Sequence, residues 1–222
     1  MATQSRGPNT RAIHGGLDPE EHRGAVSVPI YQSSTFAFPS VEEGAARFDG
    51  RSDGPIYTRM GNPTVAALEQ CVAGLENGFG AVATATGMAA ISTVLLTLLR
   101  RGDHLIATFP LYGSTRRLIE QRLARLGVSS TFVPATAGPS AIAGAVRPET
   151  RLIFVETPAN PTLDLVDLAA VAAIARHACI SLIVDNTFAG PHLQKPLDLG
   201  ADIVVHSMTK SLNGHSDVVA GV

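Results

Sequence analysis

From Pro63 onward two hydrophobic rhythms alternate along the chain. TVAALEQCVAGLE repeats apolar residues at helical spacing, with Asn62-Pro63-Thr64 as its start. GMAAISTVLLTLL, TRRLIEQRLARLG closing at Gly127, the short AIAGAV and LAAVAAIARHA predict further helices. Between them GAVATA, DHLIATF, SSTFV, RLIFVE, ISLIVD and ADIVVHS are apolar runs of strand length. Strands alternating with helices predict repeated βαβ units. The expected fold class is therefore α/β, a mostly parallel sheet covered by helices on both faces in three αβα layers. Residues 1–60 are rich in Gly, Pro, Ser and Arg and lack sustained periodicity, which predicts an extended N-terminal arm or a set of loops. The expected organisation is an arm over residues 1–60 and a large domain over 61–222. Asp217 to Val222 reads as an apolar strand cut off in mid-run, so the chain is expected to be a fragment truncated at its C-terminal end.

Composition narrows the functional classes. Hydrophobic residues at 45% and charged residues at 16% suit a buried core rather than disorder. A net charge of −2 without a basic block leaves no electrostatic footprint for nucleic acid or an anionic membrane. With Trp 0, Tyr 3 and Phe 8, a base-stacking RNA surface is not expected either. Cys71 and Cys179 fall in apolar helical patterns, which predicts buried free thiols and no disulfide scaffold. The N-terminus has no signal-peptide core and no apolar run reaches membrane-spanning length, so a soluble cytoplasmic protein is expected. His206 and His215 flank a lysine, but nothing has metal-ligand spacing, and no metal is expected.

In parallel sheets ligands bind beyond the carboxyl ends of the strands, so the residues after each strand carry the chemistry. Those residues are Thr86-Gly87-Met88, Pro110-Leu111-Tyr112-Gly113, Glu156-Thr157-Pro158-Ala159-Asn160-Pro161, Asp185-Asn186-Thr187 and Ser207-Met208-Thr209-Lys210. Lys210 follows a buried strand, where partial desolvation would free its amine to attack an aldehyde; elsewhere such a lysine is simply solvated. Asp185 is either a turn former or an anion beside a ring nitrogen, which it would keep protonated as an electron sink. Gly87 and Met88 open a helix whose N–H groups face any bound anion, and Ser207 and Thr209 add hydroxyls to that phosphate cup. Tyr112 could lie flat on a heteroaromatic ring or fill core space. Asn160 sits between two prolines, as a ligand-reaching side chain or an ordinary turn asparagine.

The stretches PIYQSSTFAFP, YTRMGNPT, ATGM, LYGST, ETPANPT, VDNTF and LGADIVVHSMTKSLNGHSDVVAG occur in that order. On them the chain resembles the trans-sulfuration family of pyridoxal-phosphate-dependent enzymes of Cys/Met metabolism. Members include methionine γ-lyase, cystathionine γ-lyase, cystathionine γ-synthase and the homoserine-ester sulfhydrylases. The resemblance runs from about Thr10 to the last residue and implies the fold of type-I pyridoxal-phosphate enzymes. It implies that Lys210 carries pyridoxal 5'-phosphate as a Schiff base and shuttles protons, that Asp185 holds the pyridine nitrogen, and that Tyr112 stacks on the ring and takes part in acid-base steps. Gly87, Met88, Ser207 and Thr209 would bind the phosphate, and Asn160 the ring hydroxyl or the substrate carboxylate. Tyr57 and Arg59 of the arm would reach the phosphate of a neighbouring subunit, so a homodimer is implied, and by family habit a tetramer of such dimers.

The implied reaction is α,γ-elimination on methionine or a related γ-substituted amino acid. Cystathionine γ-lyase activity and γ-replacement are the alternatives, and a non-catalytic fragment is the alternative of another class. Methionine γ-lyases commonly carry a cysteine where this chain has Ser114, whereas the stretch DPEEHRGAVSVPIYQSSTFAFPSVEEGAARF looks most like those lyases. Family members continue into a smaller C-terminal domain that supplies an arginine for the substrate carboxylate, and that domain is expected to be missing here. Two other motifs fail on context. Ser207-Met208-Thr209-Lys210 matches S-x-x-K but ends a strand and lacks a K-T-G partner, and the glycine pattern of Gly78-Phe79-Gly80 precedes its strand instead of following it.

Overall fold

A computed structural model describes residues 7–222, so residues 1–6 of the expected arm lie outside the described residues. The chain divides into two compact units, Met1–Leu75 with Phe79–Ala81, and Glu76–Gly78 with Val82–Val222.

In the first unit, two short helices, α1 (Pro8–His14) and α2 (Val41–Phe48), interrupt what the sequence presents as loops. Ser40 caps α2 by accepting the Glu43 N–H, and Glu42 and Glu43 sit in its first turn, where acidic side chains suit the helix dipole. Helix α3 (Pro63–Glu76) then begins at the predicted Asn62-Pro63-Thr64. The Asn62 side chain accepts the Thr64 N–H at 2.9 Å.

In the second unit, five parallel strands lie in the order β2-β1-β3-β4-β5. They are β1 (His104–Phe109), β2 (Ser129–Pro134), β3 (Thr150–Glu156), β4 (Ser181–Asp185) and β5 (Ile203–Val205). The helices are α4 (Gly87–Leu98), α5 (Gly113–Arg117), α6 (Pro139–Gly144), α7 (Leu168–Ala178) and α8 (Gly190–Leu193). Side chains alternate across the sheet. Leu105, Leu152, Phe154 and Ile183 pack with Ile91 and Leu95 of α4 on one face. Ile106, Ile153, Val155, Leu182 and Val184 pack with Ile142 and Val171 on the other. Runs of unbroken hydrophobicity are what strands buried on both faces require, and the expected three-layer α/β class is observed.

Several elements differ from expectation. GAVATA forms no regular strand: Thr84 alone makes an antiparallel bridge, to Gly221, which also bridges Ser207. The expected strand at Asp217–Val222 is likewise reduced to these bridges. Apolar runs fit strands, but a strand exists only through the partners that take its N–H and C=O groups. The helix expected over 115–127 loosens after α5 into a π-helical stretch, Leu118–Leu123. Both cysteines are free, yet neither is buried: Cys71 is half-buried and Cys179 exposed. Cys179 is not helical but caps α7 with a positive φ of 55°. No helix among the described residues is long and apolar enough to cross a membrane.

Candidate active site

The strand order sends the chain from β1 outward to β2 and then back across to β3. This makes the space beyond β1 and β3 the topological switch point, where open parallel sheets bind ligands. A cavity of about 270 Å³ lies there, within the second unit. It gathers eight of the sequence-predicted site residues: Gly87 and Met88 from the start of α4, Tyr112 after β1, Asn160 after β3, Asp185 ending β4, and Ser207, Thr209 and Lys210 after β5. Tyr57 and Arg59 belong to the first unit, where both are exposed and the Arg59 guanidinium lies 5.3 Å from the Tyr57 ring centroid.

At the helix end of the cavity, Thr86 caps α4, its hydroxyl accepting the Ala89 N–H at 2.9 Å. Gly87 and Met88 are the first helical residues, whose N–H groups have no partner inside the helix. Gly87 is required by proximity: a Cβ there would lie 2.6 Å from Ser207 Cβ and 2.9 Å from its Oγ. Gly221 runs equally close, since its Cβ would meet Thr86 O at 2.3 Å. Backbone donors and the Ser207 hydroxyl thus face one small space, a cradle that any larger residue at 87 would fill. The Thr209 hydroxyl lies 3.3 Å from the Ala220 nitrogen and 3.4 Å from its carbonyl oxygen.

At the other end sit two carboxyl groups on adjacent parallel strands, since Glu156 and Asp185 are register partners. Asp185 is buried, and its Oδ1 accepts both the Thr187 N–H, at 3.0 Å, and the Thr187 hydroxyl. That hydroxyl also accepts the Ser207 N–H at 2.8 Å, linking β4 to the turn that carries Lys210. Burial raises the Asp185 carboxyl above its ordinary range, opposed by the two Thr187 bonds and by the nearby His206.

Glu156 and Thr187 also line the cavity, and the sequence reading assigned them no role. Glu156 Oε2 accepts the Tyr112 N–H and its Oε1 the Asn160 N–H, each at 2.8 Å. One carboxyl therefore staples the two loops that present Tyr112 and Asn160. Burial pushes it up to about 7, the two N–H donors pull the other way, and the Asp185 charge adds to the rise. The signal was present: RLIFVE ends an apolar run on a carboxylate just as SLIVD does. Lys210 differs from expectation in being exposed, so the described residues do not provide the partial desolvation inferred for it. Its turn is closed by Lys210 N–H to Ser207 O at 3.2 Å and Gly214 N–H to Lys210 O at 2.9 Å.

The donor set suits an anionic heteroaromatic aldehyde: an amine, a carboxylate for a ring nitrogen, a tyrosine ring, and a helix start cleared by glycine for phosphate. Pyridoxal phosphate has these features.

Comparison with known proteins points the same way. A profile of the Cys/Met metabolism PLP-dependent enzymes matches residues 9–222. L-methionine gamma-lyase of Pseudomonas deceptionensis is 49% identical over 217 residues, covering 97% of this chain and 54% of its own length. Cystathionine gamma-lyase of Bacillus subtilis (strain 168) is 48% identical over 213 residues, covering 96% and 54%. A crystal structure of metB from Corynebacterium glutamicum superposes with a TM-score of 0.92 at 42% identity, over 100% of this chain and 55% of that one. The chain therefore spans about half the length of the relatives it matches. It belongs to the Cys/Met metabolism family of pyridoxal-phosphate-dependent enzymes.

Proposed function

We propose that the protein is a carbon–sulfur lyase acting by α,γ-elimination on methionine or a related γ-substituted amino acid, with Lys210 Nζ as the amine that carries the cofactor. The observation that carries this reading is the convergence of Lys210, Asp185, Tyr112 and the Gly87 helix start on one cavity at the sheet's switch point. The names of similar proteins, L-methionine gamma-lyase and cystathionine gamma-lyase, support the reaction class.

The cofactor supplies an electron sink for charge developing at the substrate carbons. The protein's own groups do the rest. Asp185 would hold the ring nitrogen, favouring its protonated form. The N–H groups of Gly87 and Met88, with the Ser207 and Thr209 hydroxyls, hold the phosphate. Tyr112 covers the ring, Asn160 meets its hydroxyl or the substrate carboxylate, and Lys210 Nζ and the Tyr112 hydroxyl move protons at the reacting carbons. Glu156 keeps the Tyr112 and Asn160 loops in place. Residues 61–222 act as the cofactor-binding domain. Residues 1–60 act as an arm whose exposed Tyr57 and Arg59 complete the phosphate site of a neighbouring subunit, in a homodimer or a tetramer of dimers. A cytoplasmic location suits these roles.

The test is to mix the purified protein with pyridoxal phosphate beside a Lys210→Ala variant. A visible absorption band in the parent that the variant lacks is expected, followed by release of a thiol and a 2-oxo acid from methionine. Absence of the band in the parent refutes the reading. A band with thioether formation instead of thiol release moves the protein to γ-replacement.

A further inference from the structure

On the sheet positions next to the cavity residues lies a buried polar network that the proposed chemistry does not use. Glu76, Asn186 and His206 are all buried. Glu76 Oε1 lies 2.6 Å from His206 Nε2 and accepts the Asn186 side-chain N–H at 3.1 Å, although the partners are 130 and 110 positions away in sequence. Asn186 also donates to Gln194 O at 2.9 Å. Gln194 returns bonds to Asn186 Oδ1 at 2.9 Å and to Thr157 O at 3.1 Å. The continuations of β3, β4 and β5 are thus joined by side chains.

The position of this network is informative. The β4–β5 ladder ends at Asp185 opposite Val205, with Asn186 N–H still reaching Val205 O at 3.0 Å. Just beyond, Asn186 and His206 alternate with Asp185, Thr187 and Ser207, and only the latter three line the cavity. The side-chain pins take over where the backbone ladder stops, one residue from the groups that would meet the ring nitrogen and the phosphate.

Stability alone does not account for these residues. Glu76 Oε2 and His206 Nδ1 are buried without a hydrogen-bond partner. A buried polar pair of this kind stabilises no more than a well-packed apolar pair would. His206 also acts on Asp185, favouring its ionised form.

We propose that Glu76 is a positioning residue for the cofactor site: through Asn186 and His206 it ties the continuations of β4 and β5 together and holds Asp185 and Ser207 in place. The inference rests on the function proposed above. Two variants of the protein reconstituted with pyridoxal phosphate test it. Glu76→Gln keeps an acceptor for Asn186 and His206, and its cofactor dissociation constant stays within about threefold of the parent's. Glu76→Leu removes the pin and weakens cofactor binding about tenfold or more. It also raises the pH midpoint of the visible band, because a ring nitrogen that has lost its anion draws less charge from the nitrogen of Lys210. A purely structural role would not move that midpoint. Asn186→Ala cuts the pin from the β4 side, together with the Gln194 bonds, with about threefold weaker binding expected, and serves if Glu76→Leu does not fold. Unchanged affinity and midpoint in the variants that fold, or Glu76→Gln as weak as Glu76→Leu, overturns the proposal. A parent protein without the band refutes the functional reading itself, and this inference falls with it. A parent with the band and indifferent variants refutes the inference alone.

Discussion

The second unit carries its apolar residues inward: Leu105, Ile106, Leu152, Phe154 and Leu182 have no exposed surface, and its buried carboxyls Glu156 and Asp185 stand where strands end. The first unit reverses this. Ile13, Val26, Ile30 and Met60 are exposed, and side chains bound to backbone define its loops. The Thr64 hydroxyl accepts the Tyr31 N–H and donates to Pro29 O, both at 2.8 Å, while the Asn62 side chain donates to Tyr31 O at 2.9 Å. Arg47 pairs with Glu43 at 2.8 Å and donates to Pro55 O at 3.2 Å. One unit is held chiefly by burial, which is large and non-directional. The other relies on directional bonds of about 1 kcal/mol each.

The contrast can be broken at its strongest point first. Phe154→Ala empties a fully buried site between β3 and α4 and is expected to cost about 3–5 kcal/mol, read as a lower urea midpoint. A loss below about 1 kcal/mol would mean that burial does not hold this unit.

The next largest effect is a dependence on pH. The folded state keeps Glu156 protonated up to about 7, whereas its ordinary value is 4.5. The folded state therefore binds more protons than the unfolded chain between these values. Stability is fully present at acid pH and falls as pH climbs through that window, by about 3 kcal/mol from this group. Asp185, also raised by burial, acts in the same direction. Unfolding at a series of pH values should show the decline, and Glu156→Gln should flatten it. A curve that rises instead would show that the N–H bonds of Tyr112 and Asn160 outweigh burial.

In the first unit single side chains that bond to backbone matter more. Thr64→Val leaves the Tyr31 N–H without its acceptor and is expected to cost about 1–2 kcal/mol, seen as faster amide exchange at Tyr31. The smallest effect is at the exposed Asp49–Arg51 pair, where Arg51→Ala should change stability by less than about 0.5 kcal/mol by the same measure. Equal effects at Thr64 and Arg51 would show that the clasps do not define this unit.

Legibility in the sequence follows the same division. β1, β3 and β4 and helices α4 and α7 were readable because strands buried on both faces and helices packed on them must be apolar at regular spacing. α1 and α2 were not: α2 rests on the Ser40 cap and the Arg47–Glu43 pair, whose residues also suit loops, and α1 opens on a proline after Gly7 without a side-chain cap. GAVATA was misread for lack of a neighbour: its pairing with Gly221 depends on residues more than a hundred positions away. Asp185 and Lys210 could be placed at the cavity from the sequence because both follow strands, and strand ends line the open edge of a parallel sheet. Glu156 went unassigned, since its work is done through the backbone N–H groups of Tyr112 and Asn160, which leave no mark in sequence.

Local chemistry by itself determined the α/β class, the strand ends at which polar side chains emerge, and the family, since periodicity and motif order are properties of the chain. Tertiary structure alone decided which strands have partners, that Lys210 is exposed, that Glu156 and Asp185 stand side by side in register, and that Glu76 meets Asn186 and His206. These depend on distances between residues far apart in sequence, and only packing sets such distances.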